Sequence, residues 1–255
     1  MSKQTGRNLS ITPFRSLVVD LVHFCQKVPG ATVERPMNLG RLLAARQACV
    51  PRPSWCAIFV KAMSIVAARR PELRRAYMPF PWPHLYEHPV NIANFTVERR
   101  FHDEDVVFFV QVRSPERRPL TELDQLIHTC KEAPVESVKS FRRAIRMSKV
   151  PWPFRRMSMW VGLNVMGKLR SRNFGTFSLT SVAGEGAGIV CLTPLLTTTL
   201  HYGLFDDRGN LPMRMTFDHR AIDGVCAART LVEMEEALQT QILQELLSVR
   251  AIKAA

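Results

Sequence analysis

The chain has no Cys-x-x-Cys pair, although six cysteines (Cys25, Cys49, Cys56, Cys130, Cys191 and Cys226) are scattered through its 255 residues. That spacing lacks the ligand pairs of a zinc site and gives no disulfide framework. The expectation is therefore no metal, and buried, reduced thiols in a reducing compartment. Glycine is sparse, with 12 residues, and none of it builds a glycine-rich phosphate loop. Gly/Ser-rich or Pro-rich linkers, internal repeats and low-complexity tracts are also missing, which predicts one domain over 13–255 behind a polar tail, 1–12. No apolar segment follows the polar start Met1-Ser2-Lys3-Gln4, unlike a secretory signal. The longest uncharged stretch, Gly186 to Phe205, is threonine-rich and contains Pro194 and His201, so it predicts buried strands and turns rather than a membrane span. Together these absences lead us to expect a cytoplasmic protein.

Acidic residues are in short supply: 22 Asp and Glu against 35 Lys and Arg give a net charge of +13. A surface this basic attracts phosphate, whether in nucleic acid, anionic lipid headgroups or coenzyme A, and charge alone does not choose among them. Nucleic acid ranks last, because no helix-turn-helix, zinc or aromatic ribonucleoprotein motif accompanies the charge.

Enough apolar residues are present, 46%, to fill a large core. Phe14, Leu17, Leu21, Phe24 and Val28 recur at helical spacing and predict an amphipathic helix from Pro13 to about Pro29. Ser54 suits the cap of a second helix, Trp55 to Arg70, whose apolar residues nearly encircle it, the mark of a buried helix. The run Val106-Val107-Phe108-Phe109-Val110 predicts a central strand, and Thr121 with Asp124 a capping box opening a helix through Glu132. Pro79-Phe80-Pro81-Trp82-Pro83 reads as a stiff surface loop. Later, Gly175 to Val182 and Leu211 to Asp218 alternate as half-buried strands do. Leu231, Met234, Leu238, Ile242 and Leu246 then mark one stripe of a long closing helix. Such an order predicts a mixed α/β sandwich.

The junction between the last strand and the last helix reads Asp218-His219-Arg220-Ala221-Ile222-Asp223-Gly224. A histidine at a strand end is held firmly yet faces a cleft, and its ordinary pKa near 6.5 suits a general base. The plainer alternative is a histidine that serves only as a structural hydrogen-bonding group.

The wording of this segment resembles the D-H-R-x-x-D-G signature of the dihydrolipoyl acyltransferase catalytic domain of 2-oxoacid dehydrogenase complexes. More distantly it is similar to the H-x-x-x-D-G of chloramphenicol acetyltransferase. Gly175-Thr176-Phe177-Ser178-Leu179-Thr180 resembles the family's G-T-F-T-I-S strand, and Arg69-Arg70-Pro71-Glu72-Leu73 with Val90-Asn91-Ile92 its proline-glutamate and V-N-I elements. Pro13-Phe14-Arg15 matches the start of its first helix, so the resemblance runs over roughly 13–247.

The resemblance implies a chloramphenicol acetyltransferase-like two-layer sandwich, a mixed β-sheet with helices packed on it. It implies transfer of an acyl group from a coenzyme A or acyl-carrier-protein thioester to a hydroxyl, amine or thiol, without a metal. His219 would be the base, and Thr180 would donate a hydrogen bond to the tetrahedral oxyanion. Asp223 would be held by an arginine of the first helix, here Arg15, and would fix the histidine loop. A homotrimer with sites between subunits is the corresponding assembly. The chain departs from the family in having no lipoyl or peripheral-subunit-binding domain and in placing Ser181-Val182-Ala183-Gly184 after the G-T-F strand. A free-standing enzyme with an acceptor other than dihydrolipoamide fits these departures better. A catalytically inactive scaffold of the same fold is the competing reading.

The segment Lys139 to Arg172 remains, in which cations interleave with Trp152, Phe154, Met157, Met159 and Trp160. It reads either as a solvated basic face with inward aromatics or as a contact with an anionic membrane surface, in which case the acceptor or donor would be lipid-like.

Overall fold

The structure, a computed structural model, describes residues 6–254; positions 1–5 of the expected tail lie outside the described residues. From Gly6 the chain is exposed and irregular until Thr12, whose hydroxyl accepts from the Arg15 N–H at 3.1 Å and caps helix α1 (Pro13–Cys25). Strand β1 (Gly30–Asn38), helix α2 (Gly40–Gln47) and helix α3 (Trp55–Arg69) follow. Ser54 caps α3 by accepting from the Ala57 N–H, and Pro71 opens a short 3₁₀ turn after it. Next come β2 (Arg75–Met78), β3 (His84–Glu87), β4 (Ile92–Phe101) and β5 (Glu104–Arg113), then α4 (Leu120–Glu132). Helices α5 (Lys139–Ser148), α6 (Trp152–Asn164) and α7 (Gly167–Phe174) lead to β6 (Phe177–Thr180), β7 (Thr198–Tyr202) and β8 (Asn210–Asp218). The chain closes with α8 (Gly224–Ala237), a π turn over Leu238–Ile242, and α9 (Leu243–Ala254).

Six strands form a mixed sheet in the order β1-β8-β7-β6-β4-β5, in which β4, β6 and β7 run parallel and the other pairs antiparallel. Alternation divides its faces. Phe177, Leu179, Leu200, Met213, Met215 and Phe217 are buried in the main core together with α3 and α8. Phe59 and Met63 of α3 are fully buried there, each side chain contributing about 1.5–3 kcal/mol. The opposite face carries Ser178, Thr180, Thr199, His201 and Thr216, linked by hydrogen bonds such as Ser178 to Thr199 at 2.8 Å. The closing stripe advances by fours from Met234 to Leu246, slightly more than one α-helical turn each time, and the π turn keeps it facing the core.

Three local expectations change. β5 is an edge strand, and Val107 and Phe109 are exposed while Val106, Phe108 and Val110 are buried; its apolar run serves one buried face rather than two. α4 begins after Pro119 without a side-chain cap, and Asp124 is buried, accepting from the Ser54 N–H at 2.7 Å to brace the start of α3. Cys49 and Cys130 are buried, but Cys191 is exposed because the stretch before β7 is an exposed irregular loop.

Candidate active site

His219 stands one residue beyond β8, which is paired on both sides. The last strand positions are tied down from both neighbours: the Asp218 N–H donates to the Thr197 carbonyl and the His219 N–H to the Pro29 carbonyl, each at 3.0 Å. The chain then turns, with the Ala221 and Ile222 N–H groups both donating to the Asp218 carbonyl, and Ile222 buried. Asp223 is the extended residue before α8. Thus a rigid strand end and a helix start hold the histidine backbone, while its side chain is 54% exposed. Its Nδ1 lies 3.8 Å from a carboxylate oxygen of Asp223, too long for a hydrogen bond. Nε2 is thereby left for a substrate proton.

The residue that anchors this loop is Asp218. Its side chain is fully buried and accepts from the Arg220 backbone N–H at 3.0 Å, from Arg220 Nε at 2.9 Å and from Arg220 Nη2 at 2.8 Å. The Arg220 guanidinium lies over the Tyr77 ring of β2, 4.5 Å from its centroid. Beneath it Arg170 of α7 is buried and donates to the carbonyls of Tyr77, Leu163 and Leu195. Burial pushes the Arg170 guanidinium down to about 10, against the pull of the Asp218 charge. Arg220 therefore pairs directly with the buried carboxylate at the foot of the histidine loop, and Arg170, held by backbone carbonyls, lies close enough to feel its charge. From sequence, Asp218 and Arg220 stand out only as part of the D-H-R-x-x-D-G signature, with no role of their own, and Arg170 and Tyr77 carry no expected role in the site. The Asp-x-Arg spacing was the available signal for two of them, whereas nothing local marks Arg170.

The other expected residues lie elsewhere. Arg15 is exposed on the first turn of α1, and among the described residues no ion pair joins it to Asp223, whose side chain is 85% exposed. The paired acid of α1 is instead buried Asp20, held by Arg155 and Arg156 at 2.6 Å each. Thr180 ends β6, its hydroxyl 3.2 Å from that of Thr96 on β4. Through β7, Thr180 is in register with His201 and Arg214, so His219 lies five residues further along β8. At about 3.3 Å per residue that is roughly 16 Å along the strands, and the two strand spacings from β6 to β8 add roughly 10 Å across them, so Thr180 and His219 sit roughly 19 Å apart, at opposite ends of the sheet.

Thr180 lines a cavity of about 730 Å³ that opens where β6 stops and β4 continues beside it. Trp55, Ile127 and Phe205 give it apolar walls, with Ser181, Arg46 and Lys131 as polar groups. Burial raises the Cys56 thiol and the Tyr202 hydroxyl on its lining, each to about 12, so both are protonated at neutral pH. With these walls and the cations Arg46 and Lys131, the cavity suits a largely apolar ligand with a polar or anionic end.

No family model matches the sequence, and no curated protein matches it. Solved structures do match. The dihydrolipoamide acetyltransferase of Azotobacter vinelandii aligns with a TM-score of 0.66 at 15% identity, over 96% of this chain and 95% of that one. In that enzyme a serine, a histidine and an asparagine four positions beyond the histidine were investigated for their roles in the catalytic mechanism. The cubic core of a pyruvate dehydrogenase multienzyme complex gives 0.64 at 15% identity, over 96% and 95%. A truncated catalytic core of the 2-oxoacid dehydrogenase complex from Thermoplasma acidophilum gives 0.64 at 15%, over 92% and 99%. What is shared at this identity is the backbone arrangement, over nearly the whole of each chain: this protein has the fold of the 2-oxoacid dehydrogenase acyltransferase catalytic core.

Proposed function

We propose that the protein is an acyltransferase that moves an acyl group from a coenzyme A or acyl-carrier-protein thioester directly to a hydroxyl, amine or thiol. The observation that carries this reading is His219 itself: an accessible imidazole on a backbone clamped at both ends, with Nδ1 toward a carboxylate. His219 Nε2 takes the acceptor's proton as the acceptor attacks the thioester carbonyl. The tetrahedral intermediate then collapses, the carbon–sulfur bond breaks, and the proton passes from His219 to the departing thiolate. Asp223 stabilises the transient imidazolium, and Asp218 with Arg170 and Arg220 holds the loop in place.

Oxyanion stabilisation falls to Thr180, and the separation of the two sheet ends requires that it come from a second copy. The reacting centre is then composite, with His219 of one protomer facing the Thr180 cavity of the next. A homotrimer is the assembly that this arrangement favours, as in the default for this fold.

Thermal unfolding with coenzyme A, acetyl-coenzyme A and a long-chain acyl-coenzyme A tests the reading. A bound thioester at about a hundred times its dissociation constant adds about 2.7 kcal/mol and raises Tm by several degrees. The thioester that gives the largest rise should also be the one turned over. If no thioester or acylated carrier protein moves Tm or is turned over, the scaffold reading replaces this one.

A further inference from the structure

A second surface draws together two segments that lie far apart in sequence. The hairpin β2–β3 carries at its tip the rigid Pro79–Pro83 loop, and this tip rests against α6: the Phe80 N–H donates to the Asn164 carbonyl at 3.2 Å, and the Phe80 and Trp160 rings lie 5.9 Å apart. The seating is tight lower down. A Cβ on Gly167, at the start of α7, would fall 2.3 Å from the Tyr86 ring of β3, so the hairpin packs flush on the helix start. Along α6 the inner face is Arg155, Met159, Gly162 and Leu163, all buried. The rest of α6 and the loop tip leave Phe80, Trp82, Trp152, Phe154, Met157 and Trp160 exposed, with Phe154, Met157 and Trp160 turned away from the buried side and Trp152 on the first turn, and with Trp82 and Phe154 at 68% each. Aromatic side chains of this size, grouped and rigidly mounted, are not what a solvated face displays.

The segment that builds α5, α6 and α7 has charge of one sign. Between Glu136 and Glu185 the chain contains no acidic residue. Arg142 and Arg146 of α5, Lys149 before α6, and Lys168 and Arg172 of α7 are exposed, and among the described residues none of them forms an ion pair. Arg156 lies over the Trp152 ring, 5.3 Å from its centroid, so a cation stands directly beside the aromatic group. Tryptophan and phenylalanine settle at the boundary between headgroups and acyl chains, and flanking Lys and Arg are drawn to anionic headgroups.

We propose that this face docks the protein on an anionic bilayer surface, with Trp82 and Phe154 entering the headgroup layer and the α5–α7 cations pairing with lipid phosphates. No helix among the described residues is long and apolar enough to cross a membrane, and the mode is peripheral. The proposal is independent of the acyl-transfer reading. On that reading it would place an acyl donor or acceptor of lipid character within reach.

Vesicle flotation of the full chain tests it, with vesicles of phosphatidylcholine alone and of phosphatidylcholine with phosphatidylglycerol. The wild type is expected to float with the anionic vesicles at low salt, to stay down with neutral ones, and to show a blue-shifted tryptophan emission when bound. The double variant Trp82→Ser, Phe154→Ser should lose about tenfold or more in bound fraction, with an unchanged Tm. A Lys149→Glu, Lys168→Glu variant should lose binding to anionic vesicles through charge alone. Absence of wild-type flotation at low salt overturns the proposal. So does undiminished binding by the aromatic variant, which would mean general adsorption of a basic protein, and so does preferential capture of a nucleic acid by the same face.

Discussion

Turnover of the His219→Ala variant is expected to fall about 10²–10⁴-fold, the usual contribution of a positioned general base, while its thermal stability stays within about 0.5 kcal/mol of wild type. The separation of the two effects follows from geometry. The His219 ring is half exposed, and among the described residues its nearest polar partner is Asp223, 3.8 Å away and beyond hydrogen-bond distance. The ring packs on Phe217 with centroids 5.5 Å apart, a contact at the partly exposed edge of the loop, and the backbone bond from its N–H to Pro29 is kept by alanine. Thiol released from an acyl-coenzyme A in the presence of an acceptor measures the first effect, and thermal unfolding the second. Thioester binding should survive the substitution. A structural histidine would give the reverse pattern, with stability lost and rate retained per folded molecule.

Asp218→Ala should be the most damaging single substitution for folding near the site, costing about 3–5 kcal/mol, the range seen when one partner of a buried charge pair is removed. Alanine leaves the buried guanidinium of Arg170 without its nearby carboxylate and frees Arg220 from two side-chain bonds. For a chain of this size that corresponds to a drop in Tm on the order of 6–20 °C. Arg220→Met is expected to cost less, because the Arg220 side chain is 30% exposed and Asp218 keeps the charge of Arg170 nearby. Calorimetry of the two variants checks the order. An Asp218→Ala protein as stable as wild type would mean that the histidine loop is held by something other than this carboxylate.

Much of the scaffold could be read directly, because local signals and tertiary packing agree there. The alternation of Leu211, Met213, Met215 and Phe217 is the buried face of β8, and the Ser54 cap starts α3 where expected. Other features depend on sheet order, which no local pattern carries. Val106 to Val110 has the composition of a central strand, but only its place beside β4 alone makes it an edge. Thr180 and His219 both stand at strand ends, and their separation of roughly 19 Å emerges only when β6 is found parallel to β7 and β8 antiparallel to it. The expected tie between Arg15 and Asp223 came from resemblance. In this chain the buried acid of α1 is Asp20, paired with Arg155 and Arg156 of α6, and that of the histidine loop is Asp218, paired with Arg220 of the loop itself. The basic segment departs from the expectation of a solvated basic face with inward aromatics: Arg155 and Arg170 turn inward as structural ions, while Trp152, Phe154 and Trp160 are exposed.

The composite site makes a demand that can be tested by mixing two inactive proteins. His219→Ala and Thr180→Ala, each alone, should be crippled in thioester turnover, the second by about 10²–10³-fold through loss of an oxyanion donor. Co-assembled in equal amounts, they should regain activity, because a histidine from a Thr180→Ala copy meets a threonine from a His219→Ala copy. Random trimers place an intact pair in about a quarter of the sites, and about a quarter of wild-type turnover is the predicted result. Recovery of no activity from co-assembled trimers would contradict the account and would mean that His219 and Thr180 do not meet across a subunit boundary.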